Sequence, residues 1–215
     1  MTSATTSMTS IFLIRHGAYN EGQVDGVGPH VDLGLSDEGK LQAQALADRL
    51  RLGKEIHADA LYASTLPRAR QTADILAPAL GLSAVLEQDL EEWRSDDGTM
   101  DTNEFTTLWQ SLSERDRQFH RFAPGCETTI EFSARVQSAL HAIVKKHLGQ
   151  TAVLVVHGGV IQVAFQYFFG YGDAAFRRAY PAAGHASITH WNLPMNTSKW
   201  VLESSNDRHH LRRSA

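Results

Sequence analysis

Apolar residues in this chain form short unbroken runs that alternate with segments of helical spacing. The runs at 11–14, 60–64 and 151–156 have the length of buried strands. The last run, TAVLVV, shows no alternation of apolar and polar residues, as expected of a central parallel strand that is covered on both faces. These runs predict strands of one sheet.

The segments between the runs predict amphipathic helices with recognisable ends. Ser36 has the character of an N-cap, and Gly53 is placed to close the helix that follows it. Pro67 can begin a second helix without losing a needed N–H, and Gly81 can end that helix. The pattern therefore reads as strand, helix, strand, helix.

Two further helices and three weaker strands continue this alternation. A long amphipathic helix follows Pro124 and can end at Gly149, and a shorter one covers 160–169. The weaker strands are expected at 83–86, 186–191 and 199–203. Repeated strand–helix alternation predicts an α/β fold, a three-layer α/β/α sandwich with a mostly parallel sheet.

Four segments are expected to lie outside this framework. Residues 17–35 contain Gly, Asp and Pro and predict a loop, and residues 93–124 predict a small helical cap insertion. The polar, aperiodic ends 1–10 and 204–215 predict flexible tails. The chain is therefore expected to form one domain over residues 11–203.

Composition and charge exclude several classes of partner. Lys and Arg number 20 against 24 Asp and Glu, a net charge of −4, so no global positive field favours nucleic acid or an anionic membrane. The single cysteine, Cys126, cannot form a disulfide within the chain, and no apolar stretch reaches the roughly 20 residues of a membrane span. These features predict a cytoplasmic protein with a small-molecule partner and leave the oligomeric state open.

Residues whose side chains can take part in catalysis follow the predicted strands. Successive junctions carry Arg15-His16-Gly17, then Arg68, then Glu91-Glu92, then His157-Gly158-Gly159. Because the carboxyl ends of parallel strands meet at one edge of a sheet, we expect these side chains to converge. Guanidinium groups bind phosphoryl oxygens bidentately, an imidazole can attack phosphorus, and a carboxylic acid can protonate a departing alcohol. This set of groups suits a phosphomonoester.

With these residues in place, the sequence resembles a known family, the histidine phosphatases, also called the phosphoglycerate mutase-like superfamily. The motifs that carry the resemblance run in order: LIRHG at 13–17, LSDEGKLQAQAL at 35–46, STLPRARQTA at 64–73, LEE at 90–92, PGCET at 124–128, VVHGGVIQ at 155–162 and ASIT at 186–189. They span nearly the whole predicted core.

The resemblance implies a role for each junction residue. His16 would be the phosphorylated nucleophile. Arg15, Arg68 and His157 would bind the phosphoryl group. Glu92 would be the proton donor to the leaving group.

The resemblance is less direct for several neighbouring residues. Gly17, Asn20 and Gly158 are further expected phosphate contacts, although the asparagine stands four residues after the nucleophile where family members often have one at six. The segment WRSDDG replaces the usual Gly-Glu-Gly run after the acid, so Glu87 and Glu91 stay open as alternative proton donors.

Together these observations predict a phosphatase that hydrolyses a small-molecule phosphomonoester through a covalent phosphohistidine. No cofactor and no metal are expected, because the HExxH and paired CxxC spacings are absent despite eleven histidines. Two alternatives remain: a phosphoglycerate-type mutase, which returns the phosphoryl group to another hydroxyl, and a non-catalytic phosphate-binding regulatory module.

The expected cap carries a group of basic residues. Its members are Arg115, Arg117, His120 and Arg121. They form either a solvated helix face or a group that grasps a second anionic part of the substrate.

Overall fold

The computed structural model describes residues 8–24, 28–95, 100, 102–170 and 179–211. The strands are β1 (Thr9–Arg15), β2 (Tyr19–Val24), β3 (Gly28–Leu35), β4 (Ala60–Ser64), β5 (Ala84–Glu87), β6 (Thr151–Val156), β7 (Ile188–Leu193) and β8 (Val201–Asp207). The helices are α1 (Asp37–Gly53), α2 (Pro67–Leu80), α3 (Thr102–Ser111), α4 (Glu114–Arg117), α5 (Thr129–Lys146) and α6 (Gly158–Phe169). Among the described residues, short 3-10 turns cover Gln88–Leu90 and His209–Leu211.

The main sheet has six strands in the order β5-β4-β6-β1-β7-β8. The first four run parallel to one another, whereas β7 and β8 pair antiparallel at one side. This arrangement confirms the predicted α/β fold with a mostly parallel sheet. It also brings the carboxyl ends of β1, β4 and β6 to the same edge, with Arg15 paired to Val156.

Hydrophobic residues of the central strands alternate between two cores. In β1, Ile11 and Leu13 pack with residues of α5 and α6, while Phe12 and Ile14 pack with residues of α1 and α2. Successive side chains on a strand point to opposite faces of the sheet, so a run without polar residues supplies both cores. The result is the predicted three-layer sandwich.

Most helix ends agree with the sequence, and two differ. Ser36 accepts a hydrogen bond from the Gly39 N–H at 3.1 Å, which confirms the predicted N-cap of α1. The left-handed residue after α1 is Lys54, with φ 47°, because its N–H still bonds the Leu50 carbonyl, so the prediction that Gly53 closes the helix is wrong by one residue. Likewise α5 ends at Lys146 and not at Gly149.

The predicted loop at 17–35 is instead a β-hairpin. Strands β2 and β3 pair antiparallel with two register irregularities, so polar and glycine-rich segments form strands without the apolar alternation that would reveal them. This hairpin forms a separate two-stranded sheet.

The segments predicted as flexible tails also include residues that belong to strands. Thr9 and Ser10 belong to β1, because Thr9 Oγ1 accepts from the Gly149 N–H and Ser10 Oγ donates to Asn192, each at 2.7 Å. At the other end, residues 204–207 extend β8 and the 3-10 turn follows. Polar side chains in both segments are paired within the fold. Residues 1–7 and 212–215 lie outside the described residues.

The segment predicted as a cap contains α3 and α4. The two ends of this segment lie side by side, because the Glu127 N–H bonds the Arg94 carbonyl at 2.8 Å. Four aromatic rings pack together within it: Trp93, Phe105, Trp109 and Phe122. None of the helices in the described ranges is long and apolar enough to span a membrane.

Candidate active site

His16 follows β1 directly and lies buried at the carboxyl edge of the sheet, with 2% of its surface exposed. Its Nδ1 lies 2.7 Å from the Gly17 carbonyl oxygen, which can only accept, so Nδ1 carries the proton. Its Nε2 accepts from Arg68 Nε–H at 3.1 Å and therefore bears the lone pair. Burial, reinforced by the charges of Arg68 and Arg15, lowers the pKa of His16 to about 2. The imidazole is thus neutral, with the Nε2 lone pair directed toward Arg68.

Arg68 reaches this point from the first turn of α2 and is held by the hairpin. Its Nη1 pairs with Asp32 at 3.1 Å, and both side chains are about nine-tenths buried. The Tyr19 ring lies under the guanidinium, 4.5 Å from its carbon. Neither Asp32 nor Tyr19 was expected in the site, because both come from the segment predicted as a loop. The hairpin therefore fixes the position of a predicted phosphate ligand.

His157 follows β6 and is fully buried beside His16, with 5.1 Å between the ring centroids. Its Nδ1 accepts from the same Arg68 Nε–H, at 3.2 Å. Its Nε2 lies 2.7 Å from the Ser64 hydroxyl at the end of β4. Burial, followed by the charge of Arg68, lowers the pKa of His157 well below its ordinary value. One N–H group thus connects the two imidazoles.

Arg15 ends β1 and extends along the same edge. Its Nη1 donates to the Ala183 carbonyl, and its Nε is buried with no hydrogen-bond partner among the described residues. Burial lowers its pKa, while the charge of Glu92 opposes that effect. A buried, unpaired guanidinium N–H is costly unless a ligand accepts from it, as a phosphoryl oxygen would.

The three candidate proton donors differ in the contacts that they make. Glu92 accepts hydrogen bonds from two backbone N–H groups, those of Trp93 at 3.1 Å and Gly159 at 3.0 Å. Glu91 instead pairs with Arg94 at 2.9 Å and accepts from Thr65. Glu92 is therefore linked to the start of α6, directly after His157, whereas Glu91 is engaged in an ion pair. Glu87 accepts from the Asp89 N–H.

Of the further expected phosphate contacts, Gly17 and Gly158 lie beside the cluster and Asn20 does not. The Gly17 N–H bonds Thr72 Oγ1 at 3.1 Å, and Gly158 begins α6 next to the Arg15 side chain. Asn20 is exposed on β2, where the alternation that turns Tyr19 toward His16 turns Asn20 away.

His185 is a neighbour of His16 that sequence reasoning missed. Its ring centroid lies 5.4 Å from that of His16, and its Nε2 is buried without a hydrogen-bond partner in the described part of the chain. The signal available was its position directly before the ASIT motif.

Comparison with known proteins agrees with this geometry. Residues 11–208 match the sequence profile of the Histidine phosphatase superfamily (branch 1). The chain belongs to the histidine phosphatase superfamily. The match covers the strands and helices that carry the site, so the family that the sequence resembles is confirmed.

Relatives within the superfamily include phosphatases and mutase-like proteins. A metal-independent phosphoserine phosphatase from Arabidopsis thaliana is 26% identical, over 96% of this chain and 84% of that protein. Phosphoglycerate mutase-like protein 4 from the same organism is 29% identical, over 94% and 86%. A crystal structure of a mutant phosphoserine phosphatase from Entamoeba histolytica, in complex with phosphoserine, shares the fold. Its TM-score is 0.73 and its identity 20%, with 95% of this chain and 100% of that chain covered.

In this superfamily member, two of the basic cap residues are engaged with other parts of the protein, one within the cap and one with α5. Arg117 donates to the Trp109 carbonyl at 2.8 Å, and Arg121 pairs with Glu131 at 2.6 Å. Within the described ranges, no group of three or more His, Cys, Asp or Glu is placed to hold a metal ion. The positive charge at the site comes from Arg15 and Arg68.

Proposed function

We propose that this protein is a phosphatase that hydrolyses a small-molecule phosphomonoester through a phosphohistidine at His16. The observation that carries the proposal is the fixed tautomer of His16. The Gly17 carbonyl accepts a hydrogen bond from Nδ1–H, so Nε2 carries the lone pair, which is directed toward the Arg68 Nε–H. Nucleophile and phosphate ligand thus converge on one point.

In the first step, His16 Nε2 attacks phosphorus and the bond from phosphorus to the ester oxygen breaks. Arg15 and Arg68 donate to the equatorial oxygens, where charge accumulates in the transition state. A phosphoryl oxygen takes over the Arg68 N–H from both imidazoles. Glu92, in its protonated form, gives its proton to the departing alkoxide.

In the second step, water attacks the phosphohistidine and the bond between nitrogen and phosphorus breaks. The Glu92 carboxylate formed in the first step accepts the proton of that water. His16 regains its neutral form, with Nδ1–H still donating to the Gly17 carbonyl. Phosphate then leaves, and the enzyme returns to its starting state.

The proposed chemistry uses no metal ion. A metal would neutralise the phosphoryl oxygens, and two guanidinium groups already supply positive charge there. The relative described as a metal-independent phosphoserine phosphatase supports this part of the proposal.

A phosphoglycerate-type mutase is the second candidate, and relatives described as mutases or mutase-like favour it. Such a mutase must return the phosphoryl group to substrate before water attacks. The segment between Glu92 and Gly125 is short, which leaves little protein to enclose the site. We therefore favour hydrolysis.

The proposal is tested by trapping the intermediate. A labelled alkyl phosphate is mixed with the protein, quenched in alkali and analysed for protein-bound phosphate, after exhaustive EDTA treatment and without it. We expect an alkali-stable, acid-labile adduct at His16, equal in both samples and missing in His16→Ala. An adduct elsewhere, or activity that returns only with an added divalent ion, would contradict the proposal.

A further inference from the structure

Arg135 is an arginine of α5 whose side chain is only 11% exposed and which the proposed mechanism does not use. A guanidinium has five N–H donors, and all five are engaged here. Two of them donate to the Glu127 carboxylate, at 2.6 and 2.7 Å. The other three donate to the backbone carbonyls of Asp89, Glu91 and Glu92, at 2.8, 3.1 and 3.3 Å. An arginine with every donor in use holds the protein groups around it in place.

The three carbonyls belong to the loop that carries the expected proton donor. Residues 91–95 of this loop form neither helix nor strand, so their carbonyl oxygens need partners from elsewhere in the protein. Arg135 supplies those partners from α5, an 18-residue helix that begins with a capping box formed by Thr128 and Glu131. An irregular segment is thereby fastened to a regular one.

Glu127 extends the attachment to the residues that follow Glu92. Its N–H bonds the Arg94 carbonyl at 2.8 Å, and its carbonyl accepts from Trp93 Nε1–H at 3.0 Å. Burial raises the pKa of Glu127, but the hydrogen bonds and charge of Arg135 outweigh that effect and lower the pKa. Together the two side chains bond the backbone before, at and after Glu92.

The place of the Glu92 carboxylate depends on this backbone. Its Oε2 accepts from the Gly159 N–H at 3.0 Å, two residues after His157. The Phe132 ring fills the space between, because it lies 5.3 Å from the Arg135 guanidinium carbon and 3.2 Å from the position of a Cβ at Gly159. A displacement of about 1 Å in a catalytic group can lower a rate by about 10²-fold, so the attachment of this loop matters for the chemistry.

We propose that Arg135, with Glu127 as its counter-ion, is a positioning residue that holds Glu92 beside the phosphoryl site. This inference rests on the proposed role of Glu92 as proton donor. Arg135 acts through the carbonyls of the loop and not on the phosphoryl group itself. Lysine carries its donors on one nitrogen and glutamine has only two, so neither can bond the carboxylate and the three carbonyls together.

Arg135→Gln should change the rates in a way that depends on the leaving group. We expect kcat for an alkyl phosphate to fall about tenfold, a part of the roughly 10²–10⁴-fold that a general acid supplies. On p-nitrophenyl phosphate, whose leaving group needs little protonation, kcat should change by about twofold at most. Equal losses on both substrates would show a purely structural role and would overturn the inference.

The same substitution in the Glu92→Gln background tests whether Arg135 acts through Glu92. There it should cost about twofold at most on either substrate, because the carboxylic acid that it positions is already gone. Steady-state kinetics of the unmodified protein, the two single variants and the double variant gives this comparison. A further tenfold loss on the alkyl phosphate in the double variant would mean that Arg135 acts by another route.

Arg49→Gln is the matched control. Arg49 is 13% exposed and is paired with two carboxylates, Glu55 and Asp207, but it lies on α1, away from the loop. Its replacement should lower the free energy of unfolding and leave the ratio of the two rates unchanged. The same change of ratio in both variants would show that the site responds to any such loss, against the inference.

Arg135→Lys serves if Arg135→Gln does not fold. It retains a charge to pair with Glu127, so the fold should be kept, but it loses most of the bonds to the carbonyls. We expect the alkyl phosphate rate to fall relative to the p-nitrophenyl phosphate rate in this variant as well. An unchanged ratio in a folded Arg135→Lys would contradict the proposed role of the carbonyl bonds.

Amide exchange at Gly159, followed by NMR, separates this inference from the proposed function. The N–H of Gly159 lies in the first turn of α6, where a helix supplies no partner, and it donates to Glu92. Arg135→Gln should speed its exchange about tenfold, whereas Arg49→Gln should not. If Glu92→Gln shows no leaving-group dependence, the proposed proton donor is wrong, but the exchange rate still decides whether Arg135 holds Glu92. Unchanged exchange in Arg135→Gln would refute the inference whatever the turnover.

Discussion

The backbone N–H of Gly159, in the first turn of α6, donates a hydrogen bond to Glu92 Oε2 at 3.0 Å. The approach is close, because a Cβ at Gly159 would lie 2.2 Å from Glu92 Oε1 and 3.2 Å from the Phe132 ring. Because Gly159 has no side chain, the Glu92 carboxylate can lie in this position close to His157.

Gly159→Ala should consequently reduce activity by displacing Glu92. We expect kcat for an alkyl phosphate to fall roughly 10²-fold, in the range of a lost general acid, with a much smaller effect on p-nitrophenyl phosphate. Steady-state kinetics on both substrates measures the difference.

Gly158→Ala provides the control for this prediction. Its Cβ would lie 3.6 Å from the nearest atoms of the Arg15 side chain, an ordinary contact, so both rates should stay within a few-fold of normal. Equal losses in the two variants would show that the helix start, and not the carboxylate, is sensitive.

Glu92→Gln should show the leaving-group dependence of a missing proton donor. An alkoxide is a poor leaving group and gains roughly 10²–10⁴-fold from protonation in the transition state, whereas nitrophenolate needs little help. The ratio of rates on alkyl and p-nitrophenyl phosphates measures this effect. Glu91→Gln should leave the ratio unchanged, because Glu91 is paired with Arg94. The reverse pattern would move the assignment to Glu91.

Transfer to water should greatly exceed transfer between hydroxyl groups. With 2- or 3-phosphoglycerate as substrate, we expect free phosphate to accumulate at least tenfold faster than the isomer, because a short cap segment leaves little protein to exclude water from the proposed phosphohistidine. Phosphorus NMR follows both products in one sample. Rapid isomerisation primed by a bisphosphorylated cofactor would instead favour the mutase.

Stability should fall as the pH decreases below about 6.5. His16 and His157 are neutral in the fold, with pKa values far below those they have when unfolded, so the unfolded chain binds more protons in acid. Their contribution is fully present above pH 6.5 and is lost toward the folded pKa, at up to about 1.4 kcal/mol per pH unit for each histidine. Urea unfolding between pH 7.5 and 5 measures this slope.

Replacement of one buried histidine should make the slope shallower. In His16→Asn, the loss of unfolding free energy between pH 6 and 5 should shrink by about 1.4 kcal/mol. His57→Asn, at an exposed position, serves as the control for the loss of a histidine. An unaltered slope in His16→Asn would contradict the assignment of a neutral buried imidazole.

The convergence of Arg15, His16, Arg68 and His157 could be predicted, because each follows or adjoins the carboxyl end of a strand that the apolar runs reveal. The rule for parallel sheets brings such residues together regardless of their separation in sequence. The N-cap at Ser36 could also be predicted, because its side chain accepts a hydrogen bond from the N–H of Gly39, three residues along the chain.

Contacts made by polar strands could not be predicted in this way. Asp32 and Tyr19 belong to a hairpin whose strands lack apolar alternation, and residues 204–207 extend β8 with polar side chains. Long-range pairing, and not local pattern, determines these segments. For the same reason, His185 could not be connected with His16 from its position in the sequence.

The single Arg68 N–H that His16 and His157 share has a consequence for the proposed reaction. While it donates to His16 Nε2, the lone pair that we propose attacks phosphorus is occupied, and an uncharged electrophile that enters the site cannot displace the guanidinium. A phosphoryl group can, because its oxygens are better acceptors for that N–H. Under the proposed mechanism, the His16 lone pair is therefore unreactive until an anion with suitable acceptor oxygens binds, and binding of the substrate also frees that lone pair.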